Sequence, residues 1–261
     1  NYAGSGSGIV FIDSNPVFDA ENRCNIYNNC SEINYGNDIF LGYYNENIDV
    51  FIDTFTVYDP TTTQINYMGK VTIDIQNSII LPIDADIFVS PAGSDENSGL
   101  TPDDPFKTIS FAVNSITSNE DNPKNIYLDE GIYSTSNTGE QFPLSGKDNV
   151  QIIGENRETS IIDGESNKGL LLLDTVQNFT LKNMQLTNGN AHYDYYYQYD
   201  YGGAISTNNS VLYLDNLIIS NNIANQGGGI YNWGSEIEIS KTDFIDNLST
   251  GAGGGISSYQ S

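Results

Sequence analysis

Gly202-Gly203-Ala204-Ile205 recurs as Gly227-Gly228-Gly229-Ile230 and again as Gly254-Gly255-Ile256. These glycine runs anchor an alignment of the C-terminal third with itself. Ser210 to Asn216 (SVLYLDN) falls on Ser235 to Lys241 (SEIEISK) at an offset of 25, which also sets Ile219 on Phe244 and Asn222 on Asn247. An earlier copy, Phe179 to Leu186, precedes Leu212 to Ile219 by 33 residues. The surplus of 8 matches a tyrosine-rich insertion between His192 and Tyr201.

Each copy holds alternating apolar pairs such as Leu212/Leu214 and Leu217/Ile219, bounded by Asn, Ser and Gly. Alternation this short predicts strands of about four residues with one buried face. One unit cannot bury that face alone, but units stacked at this period close a continuous interior between parallel sheets. Glycine pairs suit corners that need φ > 0, and Asn222 and Asn247 are placed to hydrogen-bond from rung to rung. The expected fold is therefore all-β, a right-handed parallel β-helix built as a single-stranded solenoid. Val150-Gln151-Ile152-Ile153-Gly154, Ser160 to Gly164 and Gly169 to Leu172 read as earlier, less regular rungs. One helix is expected near 105–117, where Phe106, Ile109, Val113 and Ile116 recur at helical spacing. Pro105 would stand in its first turn, with Asp103 or Asp104 as cap. An amphipathic helix there would cover the open end of the solenoid.

The expected organisation is a β-rich segment over 1–85 and the β-helix over 86–261, cut at its C-terminal end. The first 30 or so residues would finish a preceding β-helix, as Gly8-Ile9-Val10-Phe11 indicates, and the remainder would form a β-rich connector. Both ends read as cuts in a longer parent protein.

With 9 basic against 34 acidic side chains among 261, the formal net charge is −25. Such a chain would not hold a phosphate backbone, so no nucleic-acid partner is expected, and anionic membrane surfaces would repel it. No stretch approaches 18 apolar residues, so no direct membrane insertion is expected. At 38% hydrophobic, the chain can bury a core despite its charge.

Ile87-Phe88-Val89-Ser90-Pro91-Ala92-Gly93-Ser94-Asp95, with Asn97-Ser98-Gly99 and Pro105-Phe106-Lys107-Thr108-Ile109, resembles the opening module of secreted right-handed β-helix proteins. That group includes bacterial cell-surface proteins and pectate-lyase-like polysaccharide lyases. The Gly-Gly-(Ala/Gly)-Ile repeats with Phe244-Ile245-Asp246-Asn247 resemble those of polymorphic outer-membrane proteins and related adhesins. The resemblance covers roughly 86–261 and implies an extracellular location, secreted or at the cell surface.

A lyase of this class needs Ca²⁺ to neutralise a uronate carboxylate and a basic side chain to remove the neighbouring proton. In the aligned copies, Lys182 stacks with Asp215 and Ser240, and Asn183 with Asn216 and Lys241. Lys182 and Lys241 are the only candidates for the base, and solvated surface lysines are the preferred reading. Candidates for ligand contact are Tyr193, Tyr195, Tyr196, Tyr197, Tyr199 and Tyr201 of the insertion, together with Trp233, since amphipathic rings beside carboxylates suit sugars or protein interfaces. The alternative is a loop folded over its own rungs. His192 is the sole histidine, which excludes His-based metal sites and triads. Asp95 and Asn97 open an oxygen-rich loop, and Asp103, Asp104 and Asp163 are further weak Ca²⁺ candidates. Phe106 stands where an EF-hand needs an acid, so a turn fixed by side-chain hydrogen bonds is preferred and no cofactor is required. Cys24 and Cys30 are spaced for a small disulfide or remain free thiols.

The function expected is a non-catalytic structural or adhesive module of a large secreted or cell-surface bacterial protein, contacting a carbohydrate or surface partner, or self-associating end to end. The alternative is a Ca²⁺-dependent, pectate-lyase-like enzyme.

Overall fold

A computed structural model describes residues 2–3, 8–12, 16–31, 37–42, 48–61, 64–67, 71–191 and 201–260. The chain divides into two compact units, Asn1–Ile83 and Asp84–Ser261.

The second unit follows from the alternating strands. Leu171–Asp174 and Phe179–Lys182 each bury every other residue, which is the period-two pattern of a sheet with one dry face. Six such strands stack in the first sheet: Ile87–Val89, Lys124–Leu128, Val150–Gly154, Phe179–Lys182, Val211–Asp215 and Glu236–Ser240. The second sheet stacks Gly131–Tyr133, Ser160–Asp163, Gln185–Thr187, Ile218–Ser220 and Asp243–Ile245. A third holds Leu144–Ser145, Leu171–Asp174, Ile205–Asn208, Ile230–Trp233 and Ile256–Tyr259, and a fourth holds Asn190–Ala191, Ile223–Gln226 and Leu248–Ala252. All these pairings are parallel. This is a parallel β-helix, with the right-handed crossovers that parallel strands of one sheet adopt.

The interior is a set of apolar columns. Ile87, Ile126, Ile152, Leu181, Leu214 and Ile239 lie in register through the first sheet, and Ile162, Leu186, Ile219 and Phe244 through the second. Each fully buried aliphatic contributes about 1.5–3 kcal/mol, and no rung could bury its own column without a neighbour. The corner after the first sheet passes through the left-handed region at Asn183, Asn216 and Lys241, with φ of 56°, 57° and 47°. Asn tolerates that region better than other side chains. The Gly-Gly pairs have a steric reason: Gly227 has φ +62°, and a Cβ on Gly203 would lie 2.3 Å from the Gly228 carbonyl oxygen. The surplus of the longer rung falls entirely between Ala191, which pairs with Ala224, and Ile205, which pairs with Ile230.

The helix is shorter than expected, Ile109–Ser115, and its N-cap is Thr108, whose side chain accepts from the Phe111 N–H. Pro105 and Phe106 are not helical because they belong to the first rung. The Phe106 N–H donates to the Phe88 carbonyl, and Phe106 bridges to Val89. Ile109, Ala112 and Val113 are buried, and the helix packs on Ile87–Val89 and Leu144–Ser145 as an end cover.

The first unit is β-rich and is also built of stacked parallel strands. Ile9–Ile12, Ile39–Gly42 and Ile65–Tyr67 form one sheet, and Cys24–Ile26, Ile48–Val57 and Val71–Ile80 another. Between them lies a core including Ile39, Leu41, Val50, Ile52 and Phe55. Cys24 is an exposed free thiol on a strand of the second sheet, and Cys30–Ser31 pairs with Tyr2–Ala3. Among the described residues, no helix is long and apolar enough to cross a membrane.

Candidate functional site

The outward face of the third sheet carries two columns in register: Leu172, Ser206, Tyr231 and Ser257, then Asp174, Asn208, Trp233 and Tyr259. Their register with Ser206 and Asn208 places Tyr231 and Trp233 in these columns, with Trp233 exposed and Ile230 buried. Tyr201, just before the Gly-Gly corner, bridges to Gln226 and lays its ring on Tyr231, with centroids 4.4 Å apart and planes 15° apart. Tyr259 follows Tyr231 at 5.8 Å, and Trp233 lies 5.9 Å from Tyr259. Four aromatic rings thus form one continuous group.

The rings differ in what they leave open. Tyr231, sandwiched between Tyr201 and Tyr259, is 9% exposed, and burial raises its phenol pKa. Trp233 and Tyr259 remain 43% and 38% exposed, so they present ring surface to solvent. At the head of the second column, the Asn208 side-chain amide donates to Asp174 at 2.8 Å. Burial holds the Asp174 carboxyl above the ordinary carboxylate range. The face therefore offers ring surface, hydroxyls, an amide and one carboxylate, and neither column contains a cation.

Of the candidates named from sequence, Tyr201 and Trp233 fall in this group, whereas Tyr193, Tyr195, Tyr196, Tyr197, Tyr199 and His192 lie outside the described residues. Tyr231 and Tyr259 were not anticipated. Their signal was present: Tyr231 and Trp233 stand two apart after the Gly-Gly-Gly-Ile corner, and Tyr259 follows Trp233 at the spacing that separates Ile256 from Ile230.

Lys182 and Lys241 come together on Asp215, their ammonium nitrogens 3.5 and 3.7 Å from its carboxylate. The Ser240 hydroxyl donates to the same carboxylate at 2.8 Å, and that bond, helped by the two lysines, lowers the Asp215 pKa.

The oxygens of the 95–104 loop are turned on the chain itself. Asp95 accepts from the Lys107 and Thr108 N–H groups and the Thr108 hydroxyl at 2.9–3.0 Å. Asn97 donates to the Pro105 carbonyl. Asp104 accepts from the N–H and hydroxyl of Ser98, which lower its pKa, and Asp103 is exposed. These contacts make the loop a folded brace, the preferred sequence reading. Beside it, a groove of about 580 Å³ is lined by Pro91, Ile132, Ser134, Ser136, Asp163 and Glu165, among others. Its acids are engaged too: Glu165 accepts from the hydroxyls of Ser134 and Ser136, and Asp163 accepts from Asn188. Among the described residues, no group of three or more His, Cys, Asp or Glu is placed to hold a metal ion.

Stacked parallel rungs with an end-covering helix and an outward aromatic group define a β-helix module. The chain belongs to the DUF1565 family, proteins of unknown function, whose family profile matches residues 91–253. Comparison with curated proteins and with solved structures returned no match.

Proposed function

We propose that this chain is a non-catalytic structural and adhesive module of a large secreted or cell-surface bacterial protein, and that it contacts carbohydrate through the outward aromatic group of the third sheet. The observation that carries this reading is the exposure of Trp233 and Tyr259 at the end of a stack in which Tyr231 is covered. A solenoid needs no large aromatics on its solvent face, and Trp and Tyr are the residues that dominate recognition surfaces. The lyase alternative is weaker because Lys182 and Lys241 share the Asp215 carboxylate. Retention of the protein on a panel of insoluble and gel-embedded polysaccharides tests the proposal. Binding that is lost in Trp233→Ala supports it. Absence of retention on every polymer, or release of unsaturated uronates from polygalacturonate with Ca²⁺, overturns it.

A further inference from the structure

The two outward columns of the third sheet hold ring surface, Ser206, Ser257, Asn208 and a carboxylate, but no Lys or Arg. Five of the nine cations are paired with acids away from these columns: Arg23 with Asp74, Lys124 with Asp84, Arg157 with Asp243, and Lys182 and Lys241 with Asp215. The whole chain carries −25. A uronate or sulfated polymer laid here would meet Asp174 and a repelling field with no counter-charge.

The geometry also sets a direction. Successive rungs are spaced by about 4.8 Å, the separation of hydrogen-bonded strands, and Trp233 and Tyr259, register partners on adjacent rungs, have ring centroids 5.9 Å apart. This advance is comparable to that of consecutive pyranose units in an extended polysaccharide. A chain lying along the solenoid axis would meet ring surface or polar side chains of the columns, its apolar faces on Trp233 and Tyr259 and its hydroxyls on Asn208 and Ser206.

We infer that the ligand is an uncharged polysaccharide bound along the solenoid axis over Trp233 and Tyr259. This rests on the carbohydrate-contacting reading and narrows it to one chemical class. Because Trp233 is the sole tryptophan, its fluorescence reports directly on this face. The experiment titrates the full chain with soluble neutral polymers (hydroxyethylcellulose, xylan, glucomannan) and with anionic ones (polygalacturonate, alginate), each at low and high salt. Affinity electrophoresis of Tyr259→Ala and Trp233→Ala runs in parallel. The expected result is a saturable change in Trp233 emission with a neutral polymer only, and affinity weakened about tenfold or more in each variant, the loss typical of a Trp or Tyr hot spot. Circular dichroism identical to the parent's shows that the variants are folded. Binding confined to anionic polymers, or equal for both classes at low salt, overturns the inference while leaving carbohydrate contact standing, whereas anionic polymers are expected to gain affinity as high salt screens the repulsion. No response to any polymer removes both. Neutral binding undiminished in both variants overturns the assignment to this face.

Discussion

Asn222 and Asn247, on successive rungs, are joined by a hydrogen bond of 2.9 Å from the Asn222 side-chain amide to the Asn247 side-chain oxygen. Asn222 is fully buried, and its remaining capacity is filled by the Leu186 carbonyl and the Gly189 N–H. Asn247 in turn donates to the Ile219 carbonyl. Removing Asn222 would leave several buried partners unmatched at about 1–3 kcal/mol each. Asn222→Ala is therefore expected to lower unfolding stability by roughly 3 kcal/mol, and Asn247→Ala, nearer the surface, by about half as much. Urea titration followed by far-ultraviolet circular dichroism measures both, and equal effects would contradict the assigned ladder.

Arg157 makes a second link across rungs. From the corner after Val150–Gly154, it donates to Asn216 at 3.2 Å, to the Leu217 carbonyl at 3.1 Å and to Asp243. Arg157→Ala is expected to cost about 1–2 kcal/mol, with faster amide exchange at 241–245 than in the parent protein and little change at 150–154. Arg157→Lys should not restore protection, because one ammonium cannot reproduce the forked contacts.

Glu140 predicts a pH dependence. Its carboxyl accepts from the Ile109 and Ser110 N–H groups and the Ser110 hydroxyl at 2.6–3.1 Å, yet burial outweighs these donors and raises its pKa from 4.5 to about 7. The folded state thus holds this proton more tightly than the unfolded chain. The stabilisation is complete below pH 4.5 and is lost as pH rises through about 7. The full span is worth up to about 3 kcal/mol. Glu140→Gln stays neutral throughout, so the difference in stability between parent and variant should shrink over this window as pH rises. A constant difference from pH 4 to 8 would refute the assignment.

Asp95 holds the segment entering the helix by three hydrogen bonds. Asp95→Ala should cost about 2–3 kcal/mol and loosen Ile109–Ser115, read as lost amide protection at Ala112 and Ile116. Because the loop oxygens are turned inward, millimolar Ca²⁺ is expected to leave the melting temperature of the parent protein unchanged. A marked upward shift would reopen a metal role for this loop.

Tyr231 and Trp233 should separate stability from recognition. Tyr231→Ala removes a covered ring and is expected to cost about 3 kcal/mol, whereas Trp233→Ala should change stability by under about 1 kcal/mol while abolishing retention on polysaccharide. The same reversal in both assays would contradict the division of roles within the stack.

How far these relationships could be read in advance depended on regularity. The offset of 25 located the pair Asn222/Asn247, and the offset of 33 the pair Lys182/Asp215, because each repeat keeps equivalent residues in register outside its one insertion. The first unit was harder: Ile9, Ile39 and Ile65 share one column at unequal intervals, so no fixed offset revealed its stacking. The helix start was misplaced because periodicity cannot see that Phe88 and Asp95 capture the residues after Pro105. Tyr201 and Tyr231 were not paired because they are not register partners. Tyr231 aligns with Ser206, and Tyr201 reaches it only by leaning across the corner.

Between Ala191 and Ile205 the chain spends eight residues more than the next rung does, yet both flanking strands keep their partners. The flanking strands therefore keep their register through an eight-residue change in the length of the connection, since lengthening a connection between fixed ends costs little entropy. Selection, or a protein engineer, could vary the sequence between Ala191 and Ile205 while the rungs on either side are inherited unchanged.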